Sequence, residues 1–179
     1  MRKVRVLFVC MDNAARSQMA EALLRASDDR SCEAFSAGIV PAASLDPLAV
    51  AVMKERGLEM NAQRPKTWQE FRDKRIDCLV TLCRRAERHC PALPGLGTRL
   101  SWPFEDPARF TGSVEERMAA YRVVRDGIER FIVGWLQTTA MAEHRVPLTG
   151  ETNGLEASDP SGEKEEALAG RQNAFGRRR

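Results

Sequence analysis

Short apolar runs alternate along the chain with segments in which apolar residues recur at helical spacing. The apolar run at residues 4–9, interrupted only by Arg5, predicts a buried strand, and the run at 76–82 suits a strand covered on both faces. Residues 32–38 and 99–102 carry weaker strand patterns. The pattern therefore predicts four strands.

Two helices are predicted in the first third of the chain. Residues 19–25 are strong helix formers with apolar residues on one face. A second helix over 47–56 has Asp46 as its N-cap, a proline in its first turn and Gly57 just past its end. Each of these helices follows one of the first two strands.

Further helical signals lie before and after the third strand. Thr67 is a suitable N-cap for a short helix, and residues 84–89 are polar and compatible with a helix. Ser113 and Glu116 form a capping box that opens a long helix. The apolar stripe of this last helix reaches about Leu136.

Strands that alternate with helices are typical of an open parallel α/β sheet with helices on both faces. We therefore expect a four-stranded sheet of this kind within residues 1–138. Ligands of such sheets bind beyond the carboxyl ends of the strands. Cys10, Cys83 and Asp106 each follow an expected strand end, so we predict that they converge at that edge.

The composition is that of an ordinary globular protein, with 43% hydrophobic residues, 30% charged residues and a net charge of +3. This mild positive charge gives no sign of a nucleic-acid partner and is compatible with an anionic substrate. No apolar run reaches membrane-spanning length, and the first run is too short for a signal sequence. The five cysteines are not expected to form structural disulfides. We expect a cytoplasmic monomer.

The last part of the chain differs in composition. Residues 147–179 include glycines, mixed charges and no β-branched aliphatic residue. Such a segment cannot bury enough apolar surface to fold by itself. The sequence therefore predicts a disordered tail over 139–179.

The chemistry is concentrated in the loop between the first strand and the first helix. Cys10 is followed by five residues and then by Arg16 and Ser17. Backbone N–H groups in such a loop and the N-terminus of the next helix form a cradle for an oxyanion. The planar guanidinium of Arg16 can hold two oxygens of a tetrahedral anion. The expected cradle consists of Met11, Asp12, Asn13, Ala14, Ala15, Arg16 and Ser17.

The positive field of this loop predicts a lowered pKa for Cys10, whose thiolate would then be nucleophilic near neutral pH. Ser17 is placed to donate a hydrogen bond to that thiolate, and Asn13 to tie the loop through its side chain. The alternative is a buried structural cysteine followed by a surface arginine. The preceding strand, the following helix and these two polar residues favour a functional loop.

Two more cysteines, Cys83 and Cys90, flank the polar segment after the third strand. Three interpretations are open: two unrelated thiols, a zinc site that includes His89, or a redox pair. The zinc site is the weakest, because the spacing matches no common zinc pattern and a fourth ligand is not obvious. Cys32 and Cys78 lie within predicted strands and are expected to be inert core residues.

The Cys10-x-x-Asn13-x-x-Arg16-Ser17 loop resembles that of the low-molecular-weight phosphotyrosine phosphatases. Its continuation through Glu21 is more similar to the thioredoxin-coupled arsenate reductases, which are relatives of those phosphatases. The resemblance implies an oxyanion substrate, either arsenate or a phosphate ester.

Two later segments also resemble the arsenate reductases. Cys83-x6-Cys90 is similar to their paired resolving cysteines, and residues 102–107 are similar to the segment that carries their general acid. Carried over, the general-acid role falls to Asp106. The resemblance implies the low-molecular-weight phosphatase-like fold over about residues 1–138.

The resemblance implies a thiol relay without a bound cofactor. Arsenate is held by Arg16 and the loop, and Cys10 attacks arsenic while Asp106 protonates the departing oxygen. Cys83 then attacks Cys10, arsenite leaves, and a Cys10–Cys83 disulfide forms. Cys90 converts it to a Cys83–Cys90 disulfide, which reduced thioredoxin, the expected partner, reopens.

Two departures from the family pattern bear on this expectation. Asp12 stands where these loops have glycine or another uncharged residue, and its carboxylate weakens oxyanion binding unless it points to solvent. Some family members hold potassium near the counterparts of Asn13, Glu21 and Ser36. A carboxylate ligand is missing here, so no metal is predicted, and Lys66 is the candidate cation.

Three classes of function stay open. The first is an arsenate reductase, with weak phosphatase activity from the shared loop and either thioredoxin or glutathione as reductant. The second is a low-molecular-weight tyrosine phosphatase, although the only tyrosine, Tyr121, falls within a helix and not at a pocket rim. The third is a non-enzymatic oxyanion-binding or redox-sensing module, which is favoured only if Asp12 prevents turnover.

Overall fold

The computed structural model describes residues 2–28, 30–90 and 92–143. Its strands and helices follow the predicted order. They are β1 (Val4–Cys10), α1 (Arg16–Ser27), β2 (Cys32–Gly38), α2 (Pro47–Lys54), a 3-10 helix (Trp68–Phe71), β3 (Cys78–Thr81), α3 (Arg84–His89), β4 (Thr98–Ser101), a 3-10 turn (Pro107–Arg109) and α4 (Val114–Glu143).

The four strands form one parallel sheet in the order β2-β1-β3-β4. The chain moves from β1 to β2 in one direction and from β2 back past β1 to β3 in the other. Because crossovers between parallel strands are right-handed, these two connections lie on opposite faces of the sheet. The predicted open four-stranded α/β sheet with helices on both faces is confirmed.

The core is centred on β1, which is buried from Val6 to its end and is flanked by strands on both sides. Every residue of β3 is also buried, as the apolar run predicts. Helix α1 packs against β2 and α4, and it is buried from Arg16 to Leu24. The N-terminal half of α1, polar residues included, is therefore buried.

The chain segment after β4 is fastened to the end of β3. The Trp102 N–H donates to Thr81 O at 2.9 Å, and the Phe104 N–H donates to Leu82 O at 3.1 Å. This pairing carries the chain across the carboxyl edge of the sheet to Asp106. The predicted convergence of the three strand ends follows from this arrangement.

Two helix boundaries differ from the predicted ones. Helix α2 ends at Lys54, two residues early, whereas α4 continues to Glu143, past the expected end at Leu136. The apolar stripe of α4 ends before the helix does. The helix continues through Thr138 and Thr139, whose hydroxyls donate to Trp135 O.

The predicted tail over 139–179 begins within this last helix, and its greater part, residues 144–179, lies outside the described residues. The boundary at residue 138 stays a prediction. Within the described residues, no helix combines the length and apolar character needed to cross a membrane.

Candidate active site

The loop between β1 and α1 is shaped by Asn13. Its backbone has φ 52°, a left-handed conformation that asparagine adopts more readily than most residues. The side-chain oxygen accepts hydrogen bonds from the Lys66 N–H at 2.7 Å and from Gln18 Nε2 at 3.0 Å. The side-chain nitrogen donates to Ser17 Oγ at 2.7 Å. Asn13 thus ties the loop to α1 and to the segment before the first 3-10 helix, as the sequence indicates.

The Cys10 thiol lies at the bottom of the loop and is completely buried. Its Sγ is 2.9 Å from Ser17 Oγ and accepts the Asn13 N–H at 3.2 Å. Because Ser17 Oγ already accepts from the Asn13 amide, its hydroxyl proton is left to point at the sulfur. The loop therefore supplies two donors to a thiolate at Cys10.

A carboxylate opposes these donors. Asp12 Oδ1 lies 3.4 Å from Cys10 Sγ and accepts the Ala14 N–H at 3.3 Å. Burial and the Asp12 charge raise the pKa of Cys10 to about 11, although Ser17 and Arg16 act in the opposite direction. The predicted lowering of this pKa is wrong for the arrangement seen here, because burial of the thiol and, to a smaller extent, the Asp12 carboxylate outweigh the donors of the loop.

Arg16 begins α1 and is only 4% exposed. Its Nη2 forms an ion pair with Asp106 Oδ2 at 3.2 Å, and its Nη1 donates to Phe104 O at 3.3 Å. Its Nε is buried and has no hydrogen-bond acceptor among the described residues. A buried guanidinium with an unused donor fits an anion in the loop.

A cleft of about 600 Å³ opens above the loop. It is lined by Asp12 and Arg16 on one side, by Asp106 on another, and by Cys83. Cys90 does not line it. Three of the five residues predicted to act, Arg16, Cys83 and Asp106, therefore line one cleft. Cys10 lies buried beneath the loop that borders this cleft.

Cys83 and Cys90 are the two caps of α3. Cys83 is the N-cap, where its sulfur accepts the Ala86 N–H at 3.3 Å, and Cys90 is the C-cap, where its N–H donates to Ala86 O at 2.7 Å. Seven residues of helical rise separate their Cα atoms by roughly 10 Å, beyond the reach of a disulfide. Burial raises the pKa of the Cys90 thiol, against a smaller opposite effect of Arg99.

The site predicted to hold a cation contains Lys66. Its Nζ lies 3.3 Å from Glu21 Oε2, which also accepts the Ser36 hydroxyl, and Arg25 pairs with the other carboxylate oxygen. Glu21 is 4% exposed, so its charge needs such partners. The expectation that Lys66 supplies a cation here is confirmed.

Sequence reasoning missed the support on the other side of the loop. The Asp46 N–H donates to Ala14 O at 3.0 Å, and the Asp46 carboxylate accepts the Tyr121 hydroxyl at 2.5 Å. Burial and this hydrogen bond raise the pKa of Tyr121, which keeps the hydroxyl a donor. Asp46 was expected only as the N-cap of α2, a role that it also fills.

A second missed support involves two glutamines. Gln18 Nε2 donates to Asn13 O at 3.0 Å and to Arg64 O at 2.7 Å, and Gln63 Nε2 donates to Gln18 Oε1 at 3.0 Å. Gln18 is fully buried beside the loop. A polar residue inside a strongly helical segment was the available signal, but its partners are 5, 46 and 45 residues away.

A parallel α/β sheet whose first strand ends at a buried cysteine, with an arginine six residues on at the start of a helix, defines a phosphatase-type oxyanion-binding protein. The profile of the family described as low molecular weight phosphotyrosine protein phosphatase matches residues 5–146. The chain is also similar to curated proteins named arsenate reductase. The relative from Halalkalibacterium halodurans is 38% identical over 138 residues, which are 77% of this chain and 99% of the relative.

A second relative, the arsenate reductase of Bacillus subtilis, is 38% identical over 123 residues, or 69% of this chain and 88% of that protein. The chain therefore belongs to the low molecular weight phosphotyrosine protein phosphatase family and, within it, to the arsenate reductase group.

Solved structures of arsenate reductases and of phosphatases both share this fold. A thioredoxin-dependent arsenate reductase from Corynebacterium glutamicum is 28% identical, with a TM-score of 0.60 over 78% of this chain and 63% of that one. An arginine phosphatase from Geobacillus stearothermophilus is also 28% identical, with a TM-score of 0.62 over 80% of this chain and 98% of that one. The fold alone therefore does not separate reductase from phosphatase.

Proposed function

We propose that the protein reduces arsenate to arsenite through a relay of Cys10, Cys83 and Cys90, which thioredoxin regenerates. One observation carries the proposal: Cys83 lines the same cleft as the loop over Cys10, and Cys90 caps the other end of the same short helix. A phosphatase needs only the loop and an acid, so two further cysteines in these positions favour reduction. Arsenic detoxification is the role that such an activity serves.

Arsenate binding replaces contacts that the protein makes with itself. The oxyanion takes the backbone N–H groups of the loop and the guanidinium of Arg16, including its unused Nε. Asp12 has to swing out, because its carboxylate now holds the Ala14 N–H beside the thiol. The ion pair between Arg16 and Asp106 also opens, which makes Asp106 available for proton transfer.

The first chemical step joins sulfur to arsenic. The Cys10 thiolate attacks arsenic(V), and Asp106 gives its proton to the departing oxygen, which leaves as water. The Cys83 thiolate then attacks Cys10 Sγ. The electron pair of the sulfur–arsenic bond stays on arsenic, which leaves as arsenite, and Cys10 and Cys83 are left as a disulfide. The two electrons that reduce arsenic thus come from two thiols.

The second disulfide requires α3 to unwind. The Cα atoms of Cys83 and Cys90 lie roughly 10 Å apart while the helix exists, and a disulfide needs them within about 7 Å. The Cys83 sulfur must also leave the Ala86 N–H that it now accepts. Once α3 opens, Cys90 attacks Cys83, Cys10 leaves as a thiolate, and the nucleophile is restored.

The remaining disulfide is reduced from outside the chain. A thioredoxin-type dithiol supplies the two electrons, and no bound cofactor takes part. All five cysteines are thiols in the structure, as a protein of a reducing compartment requires, and we place the protein in the cytoplasm. A monomer suffices, because every relay cysteine belongs to the same chain.

The decisive assay couples arsenate to NADPH consumption through thioredoxin and its reductase. We expect arsenate-dependent NADPH oxidation with the wild-type protein and none with Cys10→Ser or Cys90→Ser. Cys32→Ser is the matched control, because Cys32 is a buried cysteine of β2 that has no part in the relay. A wild-type protein that hydrolyses p-nitrophenyl phosphate but consumes no NADPH would establish the phosphatase alternative.

A further inference from the structure

An unusual concentration of positive charge lies on α3. Arg84, Arg85 and Arg88 are all exposed, and all three line the cleft together with Arg109, which lies on the 3-10 turn across from them. Among the ion pairs of the described residues, none includes any of these four arginines. We call the three α3 residues with Arg109 the arginine face.

Several charges of the arginine face destabilise α3, the helix that carries three of its four residues. Arg84 and Arg85 lie in the first turn, where the positive end of the helix dipole disfavours a cation, whereas Glu87 in that turn and Arg88 in the last turn suit the dipole. Arg84 and Arg88 are four residues apart, so their like charges repel each other on one side of the helix. A helix of six residues has little intrinsic stability, so such repulsion weakens it appreciably. Local violations of this kind are typical of functional surfaces.

The acidic groups nearby do not neutralise this face. Asp106 is already paired with Arg16, and Asp12 is engaged inside the loop. Glu87 and Glu105 are exposed and belong to no ion pair of the described residues. Four arginines therefore face two unpaired carboxylates, and the surface keeps a positive excess.

The position of the arginine face identifies its partner, if the relay proceeds as proposed above. The Cys83–Cys90 disulfide joins the two ends of the α3 segment, so a protein that reduces it must cover that segment. We propose that the arginine face is the docking surface for the reductant, an acidic protein dithiol whose reactive thiol is bordered by Asp and Glu side chains. Complementary charge accelerates such an encounter and selects the partner.

The reaction at this surface is an ordinary thiol–disulfide exchange. The first thiolate of the partner attacks one sulfur of the Cys83–Cys90 disulfide, and the other sulfur leaves as a thiolate. The partner's second thiolate then attacks the mixed disulfide and displaces the remaining cysteine. The partner ends as a disulfide, and Cys83 and Cys90 each regain a proton from water.

The test uses the full-length protein oxidised in advance, so that it does not depend on arsenate. Peptide mapping first verifies the Cys83–Cys90 disulfide, and the initial rate of its reduction is then followed as NADPH consumption with bacterial thioredoxin and thioredoxin reductase. The key variant is Arg85→Glu, which reverses one charge of the arginine face. A carboxylate in the first turn of α3 suits the helix dipole, so the reduced protein from which the disulfide form is prepared keeps its helix. The matched control is Arg30→Glu, an exposed arginine just before β2, at the opposite edge of the sheet.

We expect Arg85→Glu to lower kcat/KM for thioredoxin about tenfold at low ionic strength, and by less than about twofold in 0.5 M salt, where charges are screened. Reduction by dithiothreitol, a small uncharged dithiol, should be unchanged, and Arg30→Glu should behave as wild type with both reductants. Equal loss with dithiothreitol, no loss with thioredoxin, or failure of the Cys83–Cys90 disulfide to form would each overturn the proposal. Failure of arsenate reduction alone would overturn the proposed function and leave the docking result standing.

Discussion

The carboxylate of Asp12 lies over the thiol of Cys10, with Oδ1 3.4 Å from Sγ. The same oxygen accepts the Ala14 N–H, so a residue of the loop occupies part of the space that an oxyanion would take. The loop thus carries its own competing anion. Moving Asp12 therefore costs free energy in every substrate-binding event. Burial of the thiol, together with the Asp12 charge, keeps Cys10 protonated while the cleft is unliganded.

The first prediction concerns this competition. Asp12→Asn removes the negative charge and should lower the pKa of Cys10 from about 11. Because each unit of pKa changes the thiolate fraction tenfold below the pKa, alkylation of Cys10 by iodoacetamide at neutral pH should become several times faster. The alkaline rise of the pH–rate curve should move to lower pH, and inhibition by phosphate should tighten.

The control for that prediction is Asp73→Asn, which removes an exposed carboxylate outside the cleft. It should leave both the alkylation curve and phosphate inhibition unchanged. An Asp12→Asn protein with the wild-type alkylation curve would mean that burial alone sets the pKa of Cys10.

The second prediction concerns Asp106 as general acid. Asp106→Asn should lower arsenate turnover by roughly 10²–10⁴-fold, the usual effect of removing such a group. Iodoacetamide alkylation of Cys10 should continue, because the donors from Asn13 and Ser17 remain. Glu105→Gln, a change at the neighbouring exposed carboxylate, should retain most of the activity. Unchanged turnover in Asp106→Asn at saturating arsenate would assign the proton to water or to another residue.

The third prediction separates the two resolving cysteines. After one turnover, Cys90→Ser should accumulate a Cys10–Cys83 disulfide, whereas Cys83→Ser should form neither relay disulfide. Peptide mapping by mass spectrometry distinguishes these species. Both variants should keep weak phosphatase activity, because hydrolysis of a phosphocysteine by water needs no further thiol. Cys78→Ser, a change in the buried strand β3, should keep its reductase activity.

One result with Cys90→Ser would contradict the relay. A Cys90→Ser protein that turns over normally with thioredoxin would show that Cys90 carries no electrons. If this variant turned over normally with glutathione in place of thioredoxin, the Cys10–Cys83 disulfide would remain part of the mechanism, and the external reductant would be glutathione.

The fourth prediction concerns the pair formed by Lys66 and Glu21. Lys66→Met leaves a nearly buried carboxylate with one cation fewer, although Arg25 and the Ser36 hydroxyl remain. We expect a loss of about 1–3 kcal/mol in the free energy of unfolding, measured by urea denaturation. Lys54→Met, at an exposed lysine of α2, is the control and should change stability by less than about 0.5 kcal/mol. Equal stability of the two variants would show that Arg25 alone neutralises Glu21.

The sequence predicted those parts of the site that depend on neighbours along the chain. The strand before Cys10, the helix from Arg16 and the tie through Asn13 all lie within one short segment whose periodicity is unambiguous. The pairing of the strand ends followed from the general geometry of parallel sheets. Prediction therefore succeeded where local pattern and topology determine the contact.

Elsewhere the determining contacts are long-range or rotameric. The Tyr121 hydroxyl reaches Asp46 across 75 residues, and no pattern in the sequence announces that pair. The pKa of Cys10 was predicted in the wrong direction because burial of the thiol outweighs the donors of the loop, and because the sequence cannot say whether the Asp12 side chain turns outward or inward. A single side-chain torsion decides between those cases, and the energies of rotamers differ by little.

In the proposed relay, the two thiols that cap α3 make this helix a folding unit that opens and re-forms once per catalytic cycle. The first proposed disulfide would remove its N-cap and the second its C-cap, so that each turnover would include one melting and one re-formation of this six-residue helix. A segment this short relaxes within about a microsecond, whereas enzymes commonly turn over 1–10³ times per second. Opening and re-forming α3 is therefore fast compared with turnover. A short helix of low intrinsic stability suits a segment that has to unfold in every cycle.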